Sequence, residues 1–165
     1  MSRTIHIDIF DPASIDAAVQ EIREYSEWVK RKTKELVMRL ADMGVVLASI
    51  EYSRVPYHGI KDVDLTVEDR GNNTCAIMAS GETVLILEFG AGITYGYGHP
   101  QAKQFGMGPT TYPGQKHAAD PHGWWLPKAA GGGHTYGNPP AMAMYLTGKE
   151  LHDRVLEVAR EVFRT

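Results

Sequence analysis

The fold depends on the stretch Val84-Leu85-Ile86-Leu87-Glu88-Phe89-Gly90-Ala91-Gly92, in which an apolar run ends in an acidic residue and two glycines. The glycines permit a turn that is disfavoured for residues carrying a Cβ atom. At such a turn, the carboxylate of Glu88 can accept hydrogen bonds from backbone or side-chain donors. The sequence places no acid, nucleophile or oxyanion donor at a recognisable spacing from Glu88. We therefore interpret Glu88 as a structural residue.

The segment before this stretch predicts a β-hairpin. Val63, Leu65 and Val67 alternate with polar residues, which is typical of a half-exposed strand. Residues 69–73 have turn chemistry, and residues 74–79 form the returning strand. The following residues, 81–89, fit either a buried strand or a short helix by pattern alone.

Further upstream, a long amphipathic helix is predicted from Pro12 to Met43. Asp11 is a typical N-cap, and Pro12 suits the first helical position. Apolar residues recur at steps of three and four, namely Ile15, Val19, Ile22, Val29, Leu36, Val37, Leu40 and Met43. We favour one continuous helix of about 48 Å over two helices broken near residues 25–28, because no glycine or further proline interrupts the pattern. Gly44 is the expected C-terminal cap.

Two more strands are predicted on either side of this helix. Over residues 4–10, Ile5, Ile7 and Ile9 alternate with polar residues, and this period of two indicates a short strand with one buried face. Residues 45–55 are rich in valine and other apolar residues and are followed by Pro56, which predicts a second strand.

The segment of residues 90–137 is rich in glycine and is too long to be a simple connection. Within it, residues 122–126 and 134–136 flank residues 127–133 and predict a hairpin with a flexible tip. Residues 141–163 then have the apolar stripe of a helix. We expect one α+β domain over residues 1–165, with a long N-terminal helix, a small and mostly antiparallel sheet, and a C-terminal helix. Its core comprises residues 1–90 and 138–165, and residues 91–137 form an extended loop.

Composition and charge argue against several classes of protein. The chain has 165 residues, a net charge of −3 and a pI near 6.1, which gives no electrostatic basis for broad binding to nucleic acid or anionic membranes. The single cysteine, Cys75, excludes an intrachain disulfide and a four-cysteine zinc site. The first ten residues lack the apolar core of a signal peptide, and no window of about 18 apolar residues predicts a membrane span. We expect a soluble domain that is made in the cytoplasm.

Histidines in the glycine-rich segment leave a metal site open as an alternative. They are His99, His117, His122 and His134, with Asp120 among them. Zinc needs three or four ligands within tetrahedral reach, and paired ligands usually have a short, fixed spacing. The spacing here is irregular, so scattered loop histidines are the favoured interpretation. The alternative function is a metal-dependent hydrolase that uses Glu88 with these histidines.

Nucleotide and nucleic-acid sites have weaker support. The Gly-x-Gly pairs at 90–92 and 96–98 lack the Lys-Ser/Thr pair and the following helix of a phosphate loop. The basic run Lys30-Arg31-Lys32-x-Lys34 is offset by neighbouring glutamates, as in a solvated helix face. A nucleic-acid-binding module using this face is a second alternative. The aromatic residues Trp124, Trp125 and Tyr112 are more typical of interface positions than of base stacking.

A second informative stretch, Asn138-Pro139-Pro140-Ala141-Met142-Ala143-Met144-Tyr145, opens the last helix. Together with the stretch at 84–92 and the long first helix, it resembles a family of tailed-phage virion proteins. These are tail-completion or head–tail joining proteins, also described as minor tail components or neck proteins. In that family, a segment ending in Glu-Phe-Gly is followed, after a variable loop, by a proline-led segment that opens a C-terminal helix. This chain differs in its longer loop and in the methionines and tyrosine that replace the usual phenylalanine after proline.

The resemblance implies a short helix that ends at Glu88-Phe89-Gly90, and a structural role without enzymatic activity or cofactor. It implies a ring of copies, a hexamer or a dodecamer, in the virion at the head–tail junction or in the tail. Its partners are expected to be neighbouring connector or neck proteins and tail-tube or tail-terminator proteins, with genomic DNA passing through the lumen without sequence-specific binding. The motif residues implied are Glu88, Phe89, Gly90, Gly92, Pro139, Pro140, Met142, Met144 and Tyr145, with Trp124, Trp125 and Tyr112 as candidate loop contacts.

Overall fold

The computed structural model describes residues 4–95, 98–108, 117 and 119–164, and these have a mixed α+β architecture. The helices are α1 (Pro12–Arg54), α2 (Val84–Phe89) and α3 (Ala143–Phe163). The strands are β1 (Asp64–Asp69), β2 (Cys75–Ser80), β3 (Trp124–Trp125) and β4 (His134–Thr135). A single 3₁₀ turn, Lys128–Ala130, lies between β3 and β4 in the described part of the chain. Tyr112 lies outside the described residues.

Helix α1 is continuous, as predicted, but it has 43 residues and is therefore about 64 Å long, longer than the predicted helix of about 48 Å. Its first turn has the expected capping, because the Asp11 side chain accepts a hydrogen bond from the backbone N–H of Ala13. The predicted end at Gly44 is wrong, and so is the strand predicted over residues 45–55. The helix runs on to Arg54 and ends where Val55, the residue before Pro56, has extended backbone angles.

Tertiary packing explains why the helix continues through Gly44. Gly44 is buried, and a side chain added there would overlap Ile77 of β2 and approach Leu151 of α3. Together with the buried residues Ala41 and Ala48, it forms a flat face of small residues on which β2 and α3 lie close to the helix. Glycine at this position therefore serves close packing and not chain termination.

The strand predicted over residues 4–10 is also wrong. The described residues of this segment pair with no strand. Their hydrogen bonds are local: the N–H of Asp8 donates to Ser14 Oγ, and the N–H of Asp11 donates to the Asp8 carbonyl. Ile7 and Ile9 are exposed, so the alternating pattern is present without a strand partner to satisfy it.

The predicted hairpin of β1 and β2 is confirmed. The strands are antiparallel, with Val67 opposite Ile77, and positive φ angles at Asn72 and Asn73 make the turn between them. The predicted second hairpin is confirmed as well, since β3 pairs antiparallel with β4. The sheet structure of the described residues is thus two separate two-stranded ribbons.

Helix α3 runs antiparallel along the second half of α1. Thr147 and Leu151 lie beside Gly44, and at the other end the ring of Phe163 contacts Trp28 edge to face at 5.6 Å. The main core forms where α1 ends, α2 lies and α3 begins; it comprises Tyr52, Val55, Leu87, Ala141 and Ala143. Neither long helix contains a described stretch apolar enough to cross a membrane.

Candidate functional site

The site begins with the short helix α2, which ends at Glu88 and Phe89. A carboxylate positions the start of this helix: Asp62 accepts hydrogen bonds from the N–H groups of Glu82 at 2.6 Å and Thr83 at 2.9 Å. The hydrogen bonds to the side chain and backbone of Thr83, and to the backbone of Glu82, hold the pKa of Asp62 below its usual value. The helix ends at Gly90, where φ is 78°.

Gly90 is required at this corner for two reasons. Its positive φ disfavours residues with a Cβ. A Cβ there would also lie only 2.8 Å from the nitrogen of Pro140. The Glu-Phe-Gly motif therefore fixes how closely the segment before α3 approaches the end of α2.

The side chain of Glu88 is buried at this corner and is surrounded by donors. Oε2 accepts from the Tyr52 hydroxyl and from the N–H of Met144, both at 3.1 Å. Oε1 accepts from the N–H of Tyr145 at 3.2 Å and lies 3.4 Å from Nε2 of His99. The two backbone donors belong to the first turn of α3, where N–H groups lack partners within the helix and a negative charge is favoured. Glu88 therefore caps α3 from a distant part of the chain.

His99 completes the ring of donors around the carboxylate. Its Nδ1 accepts a hydrogen bond from the N–H of Gln101 at 3.1 Å, so the ring hydrogen is placed on Nε2, which faces Glu88. The His99 side chain is buried, and the ring of Phe89 lies against it at 4.4 Å between centroids. One end of the glycine-rich segment is thereby fastened to α2.

Tyr52 of α1 donates a further hydrogen bond to the Glu88 carboxylate. Burial raises the pKa of its hydroxyl well above the ordinary value, and the charge of Glu88 raises it further. The hydroxyl consequently stays protonated and remains a donor to Glu88. Because Tyr52 is near the end of α1, Glu88 of α2 joins all three helices at one point, α1 through this bond and α3 through the N–H groups of Met144 and Tyr145.

The second motif stretch meets the first through its backbone. The N–H of Ala91 donates to the carbonyl of Asn138 at 2.9 Å, and the N–H of Asn138 returns a bond to Ala91 at 3.1 Å. The N–H groups of Ala141 and Met142 then donate to the carbonyls of Leu87 and Glu88 at 2.7 and 3.1 Å. These bonds satisfy carbonyls that the end of α2 leaves without helical partners. Residues 84–92 and 138–145 thus form a single joint, which we call the Glu88 corner.

Most of the predicted motif residues meet at this corner. Glu88, Phe89 and Gly90 come from the first stretch, and Pro140, Met142, Met144 and Tyr145 come from the second. Gly92 packs against the backbone of Tyr136, and Pro139 accepts a hydrogen bond from the Asn138 amide at 3.1 Å. Met142 departs from the prediction in one respect: it lies before α3 in a left-handed conformation, with φ of 52°, and the helix starts at Ala143 and not at residue 141.

Trp124 and Trp125 lie in the β3–β4 ribbon. Trp125 is 76% exposed, and its ring contacts only the edge of a neighbouring histidine, His134, among the described rings. Of the other histidines, His99 is at the corner, and the N–H of His122 is bonded to Asp120. In the described ranges, no three His, Cys, Asp or Glu side chains are grouped so that they could hold a metal ion.

Sequence reasoning missed Tyr52, His99 and Asn138 as members of the corner. Tyr52 was missed because a strand is predicted over residues 45–55, and this prediction assigns Tyr52 to a different element from α1. Asn138 is buried, and its side chain donates to the Ile86 carbonyl at 3.0 Å. Its position directly before two prolines was the available signal, since prolines cannot donate backbone hydrogen bonds and the preceding residue must anchor the segment.

The chain matches no protein-family model, no curated protein and no solved structure. Comparison therefore adds no relative to the resemblance carried by the two motif stretches.

Proposed function

We propose that this chain is a structural virion protein of a tailed phage or prophage, a ring-forming tail-completion or head–tail joining component that acts through protein–protein contacts. One observation supports this most: the two stretches that carry the resemblance, far apart in sequence, meet in the Glu88 corner. A buried carboxylate whose described partners are structural donors suits a joint that holds helices together. The glutamate is accounted for without a catalytic role.

The shape of α1 suits assembly into a larger particle. Because α3 ends beside Trp28, residues 12–27 of α1 extend about 24 Å beyond it. This projecting part carries exposed apolar side chains, including Ile15, Val19 and Ile22, which are 41–54% exposed. Exposed apolar surface of this kind commonly marks a contact with another chain. In a ring, each copy can offer this surface to a different patch on its neighbour.

The turn of the β1–β2 hairpin is a candidate for the ring's inner surface. Its acidic residues Glu68 and Asp69 each have a cationic neighbour, Arg70 and Lys34 respectively, with nitrogen-to-oxygen distances of 3.2 Å. Such pairs leave the tip nearly neutral. A neutral or weakly acidic lumen lets DNA pass without strong electrostatic attachment.

The test combines assembly and genetics. The native mass of the purified chain is measured alone and with candidate connector and tail-tube proteins, and a closed ring is expected in one of these samples. In a phage whose genome encodes the chain, deletion of its gene is expected to leave filled heads and tails unjoined, or tails incomplete, in electron micrographs. Complementation in trans with the intact gene provides the control.

Two results would overturn the proposal. One is a deletion mutant that assembles normal infectious particles. The other is absence of the chain from purified virions by mass spectrometry. Stoichiometric zinc in the purified protein would then direct attention to hydrolase activity, and steep salt dependence of DNA binding to a nucleic-acid-binding role.

A further inference from the structure

A segment with a strand pattern and no strand partner precedes α1. We call residues 4–10 the arm. Its isoleucines alternate with polar residues, and Ile7, Ile9 and the adjoining Phe10 are 52%, 73% and 90% exposed. Exposing isoleucine side chains to water is unfavourable in free energy. Their alternation with polar residues specifies which face of a strand should be buried. Within the described part of the chain, the arm pairs with no strand.

The β1–β2 hairpin has two open edges that differ in chemistry. β1, Asp-Leu-Thr-Val-Glu-Asp, carries three carboxylates along its length. β2, Cys-Ala-Ile-Met-Ala-Ser, carries no charge and no proline. Charged residues are a usual protection of edge strands against pairing with another chain. β1 is protected in this way and β2 is not, so the edge of β2 is the one suited to accept a further strand.

An apolar groove of about 510 Å³ borders β2. Three consecutive β2 residues, Ile77, Met78 and Ala79, line it, although successive side chains of a strand point to opposite faces. Because residues of both faces line the groove, we infer that it runs along the strand's edge. Its other lining residues include Leu85, Phe105 and Met144, and no β1 residue is among them.

The groove is suited to apolar side chains and not to a charged ligand. Met78, Leu85 and Phe105 are 43%, 42% and 55% exposed, so its rim is apolar and accessible. The polar groups at its floor, Glu88 and His99, are buried and already hydrogen-bonded within the Glu88 corner. A strand with alternating isoleucines would supply both the backbone hydrogen bonds for the edge and the side chains for the groove.

The arm cannot reach the groove of its own chain. The nearest end of β2 is at Cys75, whose Sγ lies 3.5 Å from Sδ of Met38. Along the continuous helix, Met38 is about 40 Å from Asp11, at about 1.5 Å per residue. Fully extended, the arm spans only about 24 Å. A strand contact between the arm and β2 must therefore join two molecules.

We propose that the arm of one copy adds as a third strand to the edge of β2 in a second copy, with its isoleucines in the groove. This proposal rests on the self-association in the proposed function and names the contact that carries it. The arm, which is donated, and the edge of β2, which accepts it, are different surfaces. Each copy can therefore donate its arm to one neighbour and accept the arm of another. Such head-to-tail contacts propagate until the ring closes. The projecting part of α1 spans the gap between neighbouring copies.

A peptide tests the contact without requiring a ring. A fluorescein-labelled peptide of residues 2–11 is titrated against the full-length chain carrying Ile7→Asp, whose own arm is a weakened competitor. We expect saturable binding, measured by anisotropy, and a loss of roughly tenfold or more in affinity when Leu85→Asp is added to the acceptor. Val46→Asp is the matched control, because Val46 is 59% exposed on α1, does not line the groove, and should leave binding unchanged.

A mixing experiment tests the same contact between whole chains. Ile7→Asp, which blocks the donor, and Leu85→Asp, which blocks the acceptor, should each be monomeric in native mass spectrometry. An equimolar mixture, with one variant tagged, should form a dimer of one chain of each kind. His6→Asp introduces the same charge on the other face of the arm and should assemble like the unmodified chain.

The outcomes separate this proposal from the proposed function. If the peptide does not bind, or binds equally well to the Leu85→Asp acceptor, another segment or none occupies the groove and the arm proposal is overturned. A ring that forms equally well with Ile7→Asp also overturns it, while leaving the virion role intact. Peptide binding that is lost with Leu85→Asp, in a chain absent from virions, supports the arm contact and overturns the virion role.

Discussion

The two halves of α1 have the same apolar periodicity but very different surroundings. From Trp28 to Arg54 the helix packs against α3 and the β1–β2 hairpin, and it buries Ala41, Gly44, Ala48 and Tyr52. From Pro12 to Glu27, only Ala18 is buried. Hydrophobic periodicity thus identifies the helix in both halves, but it does not say whether the rest of the chain will cover the apolar stripe.

The halves also differ in what holds them helical. The second half is stabilised by tertiary packing, which is the usual source of helix stability in proteins. The first half depends on local contacts: the Asp11 cap, the Gln20–Glu24 hydrogen bond at 3.0 Å and the stacked rings of Tyr25 and Trp28. We expect the packed half to unfold with the domain and the projecting half to open separately.

The largest effect is expected from Glu88→Ala, which removes the group that joins the packed half of α1 to α3. Four donors would lose their acceptor in a buried setting, and we expect the free energy of unfolding to fall by about 4 kcal/mol. Chemical denaturation measures this. Glu88→Gln keeps the shape and part of the hydrogen bonding and should cost clearly less. If Glu88→Ala unfolded within about 0.5 kcal/mol of the unmodified chain, the structural role of Glu88 would be wrong.

A pair of leucine substitutions compares the halves directly. Gly44→Leu inserts a side chain where Ile77 and Leu151 already lie, and should lower the free energy of unfolding by about 3 kcal/mol. Ser26→Leu makes the same kind of change at an exposed position of the projecting half and should change it by less than about 0.5 kcal/mol. Equal effects would contradict the division of α1 into two halves.

The Tyr52 hydroxyl predicts a loss of stability in alkali. Because its pKa is higher in the folded than in the unfolded chain, its contribution is fully present below the unfolded value of about 10 and is lost as the pH rises above it. Tyr52→Phe should lower the free energy of unfolding by about 1.5 kcal/mol at pH 7, with a smaller difference at pH 11. Denaturant titrations of both proteins at the two pH values provide the measurement; a difference that grows with pH would contradict the assignment.

The smallest global effect is expected at the start of α1. Asp11→Ala removes the N-cap, which should destabilise the projecting half locally by about 1 kcal/mol and speed its amide exchange by roughly fivefold. Global unfolding and the exchange of residues 41–52 should hardly change. Hydrogen exchange followed by mass spectrometry resolves the two halves. Equal acceleration in both would show that α1 opens as a single unit.

Local sequence signals correctly predicted the elements that are determined by interactions between residues close in sequence. The Asp11-Pro12 start of α1, the turn at 69–73 and the second hairpin follow from capping and turn chemistry, and the structure has all three. The continuation of α1 past Gly44 could not be predicted, because it depends on β2 and α3 packing on that glycine. The arm was predicted to be a strand because its pattern is that of a strand, and a pattern does not reveal whether a partner exists.

The candidate site was predictable only in part for the same reason. Glu88 and its glycines were identified because a turn and an acid are visible in the sequence. Its partners come from three different places in the fold, and no regular sequence spacing relates them: Tyr52 from α1, His99 from the glycine-rich segment, and Met144 and Tyr145 from the first turn of α3. A helix capped by a carboxylate 56 residues away leaves no local signature.

The bridge between Ala91 and Asn138 has a practical consequence for protein engineering. The glycine-rich segment leaves and rejoins the fold at one paired position, so its two ends are already held together by the core. Lengthening a loop whose ends are fixed is entropically cheap, at about 0.6 kcal/mol for each doubling of its length. The exposed tip around Lys128–Ala130 is therefore a suitable insertion point for a tag, a fluorophore or a small displayed domain. Such a fusion would leave the helices and their buried carboxylate untouched.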